Sequence, residues 1–214
     1  MPIKNNREYR NMTMEIREAA AEEQDDRMIV RGYASTFDEP YTLYESDDWR
    51  LEEVVDRNAF ESTDMEDVIM QYDHQGRVFA RIRNNTLTVT PDDHGLLIEA
   101  DLGGTELGRQ LYEEIRGGYT DRMSFGFTVN GEDVLDTKDE DGKDLTVRTI
   151  KSVRKLYDVS AVSIPANDAT EISVRNLTDG EIERIRAERR EAEEMELRRL
   201  RAEIKARAMS GGNK

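Results

Sequence analysis

Short runs of alternating apolar and polar residues recur along the middle of the chain, separated by turn residues. Met28 to Ala34, Val68 to Tyr72, Thr86 to Thr90, Leu96 to Ala100, Met123 to Val129, Leu145 to Ile150 and Leu156 to Ile164 each read as strands. About seven strands in ~150 residues predict an α+β, mainly β fold, a small closed or partly closed antiparallel β-barrel with flanking helices. One flanking helix follows Thr105, a cap residue, with Leu107, Leu111 and Ile115 on one face and Gly117-Gly118 at its end. Arg57 to Glu66 is a weaker helical stretch. Asp136 to Asp144 is a polar hairpin loop whose spacing does not fit a calcium-binding EF-hand.

The flanks differ from this body. Residues 1–26 are polar and predict a flexible segment, with Met14 to Arg17 as its one strand-like run. Residues 27–176 form the folded domain, and 177–214 a charged helical tail. From Glu181 to Ala208 there are 8 acidic and 9 basic residues, a net of +1, and no Gly or Pro. Mixed charges at helical spacing support a helix there. The apolar positions keep no single heptad register, so a solvated single helix and a coiled coil both remain open.

Composition narrows the function. The whole chain has 214 residues, 47 acidic and 31 basic, for a net charge of −16. The part outside the tail therefore carries −16 − 1 = −17. This balance argues against a protein that tracks nucleic-acid phosphates. No run approaches the ~20 apolar residues of a membrane span, and the N-terminus has no secretory pattern. The expectation is a soluble intracellular protein. Zero cysteines remove disulfides, thiolate metal sites and a cysteine nucleophile, and two histidines are too few for a histidine-rich metal centre. No cofactor and no metal are expected.

Three places have candidate chemistry. His74 follows an apolar strand and, if the alternation continues, shares a face with Val68, Met70 and Tyr72. Ser124 lies in Met123-Ser124-Phe125-Gly126-Phe127, where alternation puts both Phe residues on one face and Ser124 with Gly126 on the other. A glycine there leaves the hydroxyl unobstructed. Asp158 interrupts a β-branched apolar run, where a carboxylate is costly to bury without a partner such as imidazole. Taken singly, each has a plainer reading: a turn histidine, a serine on a polar strand face, an aspartate on a half-exposed edge.

In this order, however, the motifs resemble the prohead (capsid maturation) serine proteases of HK97-like phages, a family related in fold to the herpesvirus assemblins. The resemblance runs from Ile29-Val30-Arg31-Gly32-Tyr33-Ala34 through Asp73-His74 and the Met-Ser-Phe-Gly-Phe segment to Asp158-Val159-Ser160-Ala161-Val162-Ser163-Ile164-Pro165-Ala166-Asn167. It implies a serine endopeptidase with His74 as base, Ser124 as nucleophile and Asp158 as the third member. His94, in what reads as a hairpin turn, is set aside. Many relatives have Asp after the His, whereas here Asp73 precedes it and Gln75 follows. The implied partners are the major capsid protein or a scaffold protein, cleaved inside the prohead in the host cytoplasm, with a homodimer possible by analogy with the herpesvirus enzymes and no nucleic acid or membrane partner. The competing reading is a catalytically silent scaffold or assembly protein of the same fold.

Overall fold

The computed structural model describes residues 7–12, 17–18 and 27–162, with eight helical positions between 185 and 199. The chain divides into two units, Met1–Asn176 and Leu177–Lys214. In the second, the described residues lie on a helix, with Arg198 and Glu194 paired across one turn. Ser163, Ile164 and the segment to Asn167 lie outside the described residues, as does Met14 to Ile16.

Among the described residues, the first unit holds eleven strands in two sheets, not a closed or partly closed barrel of seven. The strands are β1 (Glu8–Met12), β2 (Arg17–Glu18), β3 (Ile29–Thr36), β4 (Tyr41–Glu45), β5 (Trp49–Val55), β6 (Ile69–Tyr72), β7 (Gln75–Arg81), β8 (Leu87–Pro91), β9 (Gly95–Asp101), β10 (Arg122–Lys138) and β11 (Asp144–Val162). The larger sheet runs β1-β10-β11-β5-β4, with β6 also on β11 and β7 on β6; the smaller runs β2-β3-β9-β8. The barrel expectation fails for a specific reason. The two runs at Leu145 and Leu156 are a single 19-residue strand, β11. It pairs antiparallel with β10 along one edge. Along the other it takes β5 and then β6, both parallel. The sheet therefore branches instead of closing.

The flanking helices reduce to one. Among the described residues of this unit, α1 (Glu106–Arg116) is the α-helix, capped by Thr105, whose hydroxyl accepts from Gly108 N–H at 2.9 Å. Leu111 and Ile115 face the core while Leu107 is exposed. Gly108 takes the inward position because a Cβ there would lie 2.2 Å from the Leu102 carbonyl oxygen. The stretch from Arg57 to Glu66 is turns. Its polar groups bond across to β11 instead of along a helix: Thr63 Oγ1 donates to the Val153 carbonyl at 2.9 Å and Asp64 N–H to that of Arg154 at 3.1 Å. Apolar residues of both sheets, among them Val30, Leu96, Ile98, Met70, Phe125, Phe127 and Val159, form one core cluster. Burial of this kind is the dominant stabilising term for the fold.

β1 falls within the stretch whose composition predicts a loose segment. It is held by charge. Arg10 is fully buried and forms a fork onto Glu53, Nε to Oε1 at 2.6 Å and Nη2 to Oε2 at 2.8 Å. Its Nη2 also meets Glu8 Oε2 at 2.5 Å. Arg148 of β11 completes the cluster, reaching Glu8 at 2.6 Å and Glu53 at 2.7 Å. Tyr41 donates to Glu53, and Arg148 also pairs with Glu132. Buried charges of either sign are tolerable only when paired in this way. Burial alone pushes the Glu8 carboxyl up, but the hydrogen bond from Arg148 and the charges of Arg10 and Arg148 outweigh it and hold it at about 2, against an ordinary 4.5. The same carboxylates raise both guanidinium groups despite their burial.

The sign follows from linkage. Because the folded value is depressed, the stabilisation is complete above about pH 4.5 and is lost as pH falls toward 2. A shift of this size amounts to about 3 kcal/mol, of which about 2 kcal/mol is gone by pH 3. Urea unfolding at pH 6 and pH 3 should show this loss in the wild type. Glu8→Gln should be less stable at pH 6 and should lack this increment of acid sensitivity. Equal pH dependence in the two chains would contradict the assignment.

Candidate active site

The nucleophile candidate sits on β10 and the carboxylate on β11, and strand pairing brings them side by side. Ser124 is opposite Ser160 and Gly126 opposite Asp158. Directly paired residues point to the same face of a sheet. Ser124, Gly126, Asp158 and Ser160 therefore share one face, while Phe125, Phe127 and Val159 fill the core on the other. Asp158 is not on a half-exposed edge. β6 pairs with β11 from Asp158 to Ala161, so the carboxylate lies between two strands and is 1% exposed.

His74 reaches this face by a turn and not by continued alternation. Strand β6 ends at Tyr72, and Asp73 N–H donates to the Ala161 carbonyl at 3.0 Å. Asp73 and His74 then both adopt positive φ, 48° and 57°, and β7 returns with Gln75 opposite Tyr72. This is the two-residue hairpin geometry that follows the natural twist of strands, and Asp and His tolerate it better than bulky residues do. The turn carries the imidazole over the end of β11.

There the three candidates meet. His74 Nδ1 lies 2.5 Å from Asp158 Oδ1, and His74 Nε2 lies 2.5 Å from Ser124 Oγ. An ionised Asp158 can only accept, so Nδ1 carries the proton and the Nε2 lone pair faces the serine. Ser160, two residues along the same face, donates its hydroxyl to Asp158 Oδ1 at 3.0 Å. The second oxygen, Oδ2, has no hydrogen bond among the described residues; Arg7 Nη1 stands 3.7 Å away. Sequence reading missed Ser160, although its i+2 spacing from Asp158 was a usable signal. It also missed what β1 brings. Tyr9 lies against the imidazole with ring centroids 4.4 Å apart, and Arg7 stacks on Tyr157 at 3.7 Å. His94 is exposed in the β8–β9 turn, packed edge-on against Tyr33, remote in chain and sheet from these residues. Among the described residues no group of three or more His, Asp or Glu is placed to hold a metal ion. Nor is any helix among them long and apolar enough to cross a membrane.

Gly126 has a sharper role than leaving the serine open. A Cβ at this position would stand 2.4 Å from Asp158 Oδ2 and 2.7 Å from the Tyr9 ring. The missing side chain is the space in which the carboxylate sits. Gly126→Ala should push Asp158 off His74. The far-downfield NMR signal of the hydrogen-bonded Nδ1 proton should disappear, and overpacking should destabilise the chain by about 1–3 kcal/mol in urea. A retained signal at unchanged stability would show that the space is not needed.

Comparison with known proteins points to the same family. No curated protein and no solved structure matches the chain. A family model does, described as caudovirus prohead serine protease and matching residues 13–184, well over half of the sequence. That range includes His74, Ser124 and Asp158 in the order found above, and the chain belongs to the caudovirus prohead serine protease family.

Proposed function

We propose that this chain is a serine endopeptidase acting through Ser124, His74 and Asp158, and that it cleaves the scaffold, or the scaffold-like arm of the major capsid protein, and itself, inside the prohead. The observation that supports this best is the unbroken hydrogen-bonded line from Asp158 through His74 to Ser124. In the reaction, His74 Nε2 takes the hydroxyl proton as Ser124 Oγ bonds to the carbonyl carbon of the scissile peptide. The same proton goes to the departing amine, leaving an ester on Ser124. Water then attacks the ester with His74 again as base, and the hydroxyl is restored. Asp158 holds the imidazole in the required tautomer and stabilises its cationic form; Ser160 holds Asp158.

A protein inside a prohead works among capsid proteins, so the major capsid protein and scaffold are the natural substrates. The tail, helical where it is described, suits docking onto a helical partner. By analogy with the herpesvirus enzymes, which act as dimers, the proposal extends to a homodimer. The competing reading, a silent assembly protein, is disfavoured by the intact line of three residues.

Co-expression with the major capsid protein, followed by mass mapping, tests the proposal. Wild type should shorten the capsid protein and Ser124→Ala should leave it whole. Asp158→Asn should fold but slow cleavage by about 10⁴-fold. Capsid protein shortened equally by Ser124→Ala would remove Ser124 from the mechanism, and capsid protein left whole by wild type would favour the silent reading.

Self-cleavage is expected in the joint from Asn176 to Gly180, which lies outside the described residues, or in the tail beyond it. Connections between folded units are the usual sites of nicking. Intact mass followed over hours should show loss of the tail in wild type and none in Ser124→Ala. A constant mass in an enzyme active on other substrates would contradict it.

A further inference from the structure

Ser124, the residue that must attack a substrate, is 0% exposed. A second chain cannot deliver a carbonyl to an oxygen it cannot reach. The contacts around the hydroxyl identify what stands in the way. β1 pairs antiparallel with β10 from Glu8 opposite Phe127 to Met12 opposite Met123, so Asn11 lies directly opposite Ser124. The Ser124 hydroxyl also lies 2.7 Å from the main-chain carbonyl oxygen of Arg10. Tyr9, the neighbouring residue, lies over the base.

From this geometry we infer that β1 occupies the substrate's place: an extended peptide binds as an added antiparallel strand on the Met123–Phe127 edge of β10, and β1 must leave before it can. This rests on the protease reading and names how that site takes its substrate. Peptides commonly bind by adding a strand to an open sheet edge, with main-chain bonds supplying affinity and side-chain pockets specificity. The carbonyl beside Ser124 marks where the scissile group sits.

Three observations support this over a fixed structural role. First, the hydroxyl has one proton and two acceptors, His74 Nε2 at 2.5 Å and Arg10 O at 2.7 Å. A proton shared with Arg10 is withheld from the base, so the bound strand keeps the nucleophile idle. Second, the pocket left behind remains charge-paired. Arg148 still meets Glu53 at 2.7 Å and Glu132 at 2.7 Å without any residue of β1. Third, the family match begins at residue 13, so β1 lies wholly before it. The side chains of β1 also state the chemistry of the peptide that fits. Glu8 faces Arg148 and Arg10 faces Glu53, so the site takes an acidic residue two places before a basic one.

The test uses the full chain and a peptidyl phosphonate of sequence Arg-Glu-Tyr-Arg, the phosphonate replacing the last carbonyl, beside a small alkyl fluorophosphonate. Hydrogen exchange is read across residues 8–12 before and after modification of Ser124. The expected result is slow labelling of the wild type, with protection of residues 8–12 lost in the labelled chain. Arg10→Gln, which loosens the anchor of β1 and leaves its main chain in place, should be labelled about tenfold faster, a change equivalent to a modest loss of binding. Label on Ser124 with β1 still protected would overturn the inference, as would a folded Arg10→Gln chain labelled no faster than wild type. If Arg10→Gln does not fold, exchange in the labelled wild type decides alone. Failure of both reagents to modify Ser124 in either chain would instead defeat the protease reading itself.

Discussion

A carboxylate taken out of water must be compensated, and the compensation of Asp158 organises everything around it. The residue is held between β10 and β6 with almost no exposure. An unpaired charge in such a place would cost several kcal/mol. His74 and Ser160 both bond to its Oδ1. Each neighbour is in turn constrained by that demand. The β6–β7 turn takes two positive φ values so that the imidazole arrives over the strand end, and Gly126 gives up its side chain so that Oδ2 has room. The parallel pairing of β6 with β11 sets the turn at the right height, since Tyr72 stands opposite Ala161. A site assembled from three strands thus depends on one desolvated oxygen pair.

The buried ion cluster on the opposite face of β1 follows the same physics with different partners. Arg10 and Arg148 share Glu8 and Glu53, and Arg148 meets Glu132 as well. Bidentate, mutually bonded pairs of this kind are tolerated inside proteins because few polar atoms stay unsatisfied. The two clusters lie on either side of the same short strand: Tyr9 faces His74, and Arg10 faces Glu53.

Much of this was legible in the sequence because it depends on alternation. The faces of Met123 to Phe127 followed from a period of two, and so did the conflict between Asp158 and its apolar neighbours. What was not legible depends on pairing between distant segments. Nothing local in Leu145 to Ile164 says that one continuous strand accepts β10 on one edge and two parallel strands on the other, and that choice turned an expected barrel into a branched sheet. β5 and β7 are hidden because charged residues such as Glu52, Glu53 and Arg77 break the apolar pattern, and β4 because it is only five residues long. In β5 the break is misleading, as Glu53 is buried against two arginines. His74 reaches Asp158 through a turn with positive φ, of which local alternation says nothing. β1 was read as loose from its charges, which are the very groups that fix it.

The branched sheet leaves one boundary incomplete. β1 covers β10 only as far as Phe127, while β10 continues to Lys138 with β11 on its other side alone. Among the described residues, about ten residues of main chain thus present unpaired donors and acceptors, with Val134 and Leu135 exposed among them. Glu132, Asp133 and Asp136 stand on the same stretch. Like charges along an open edge disfavour its pairing with the same edge of a second copy. Crowded at high local concentration, molecules with such an edge are held apart by charge rather than by shape, two aliphatic side chains notwithstanding.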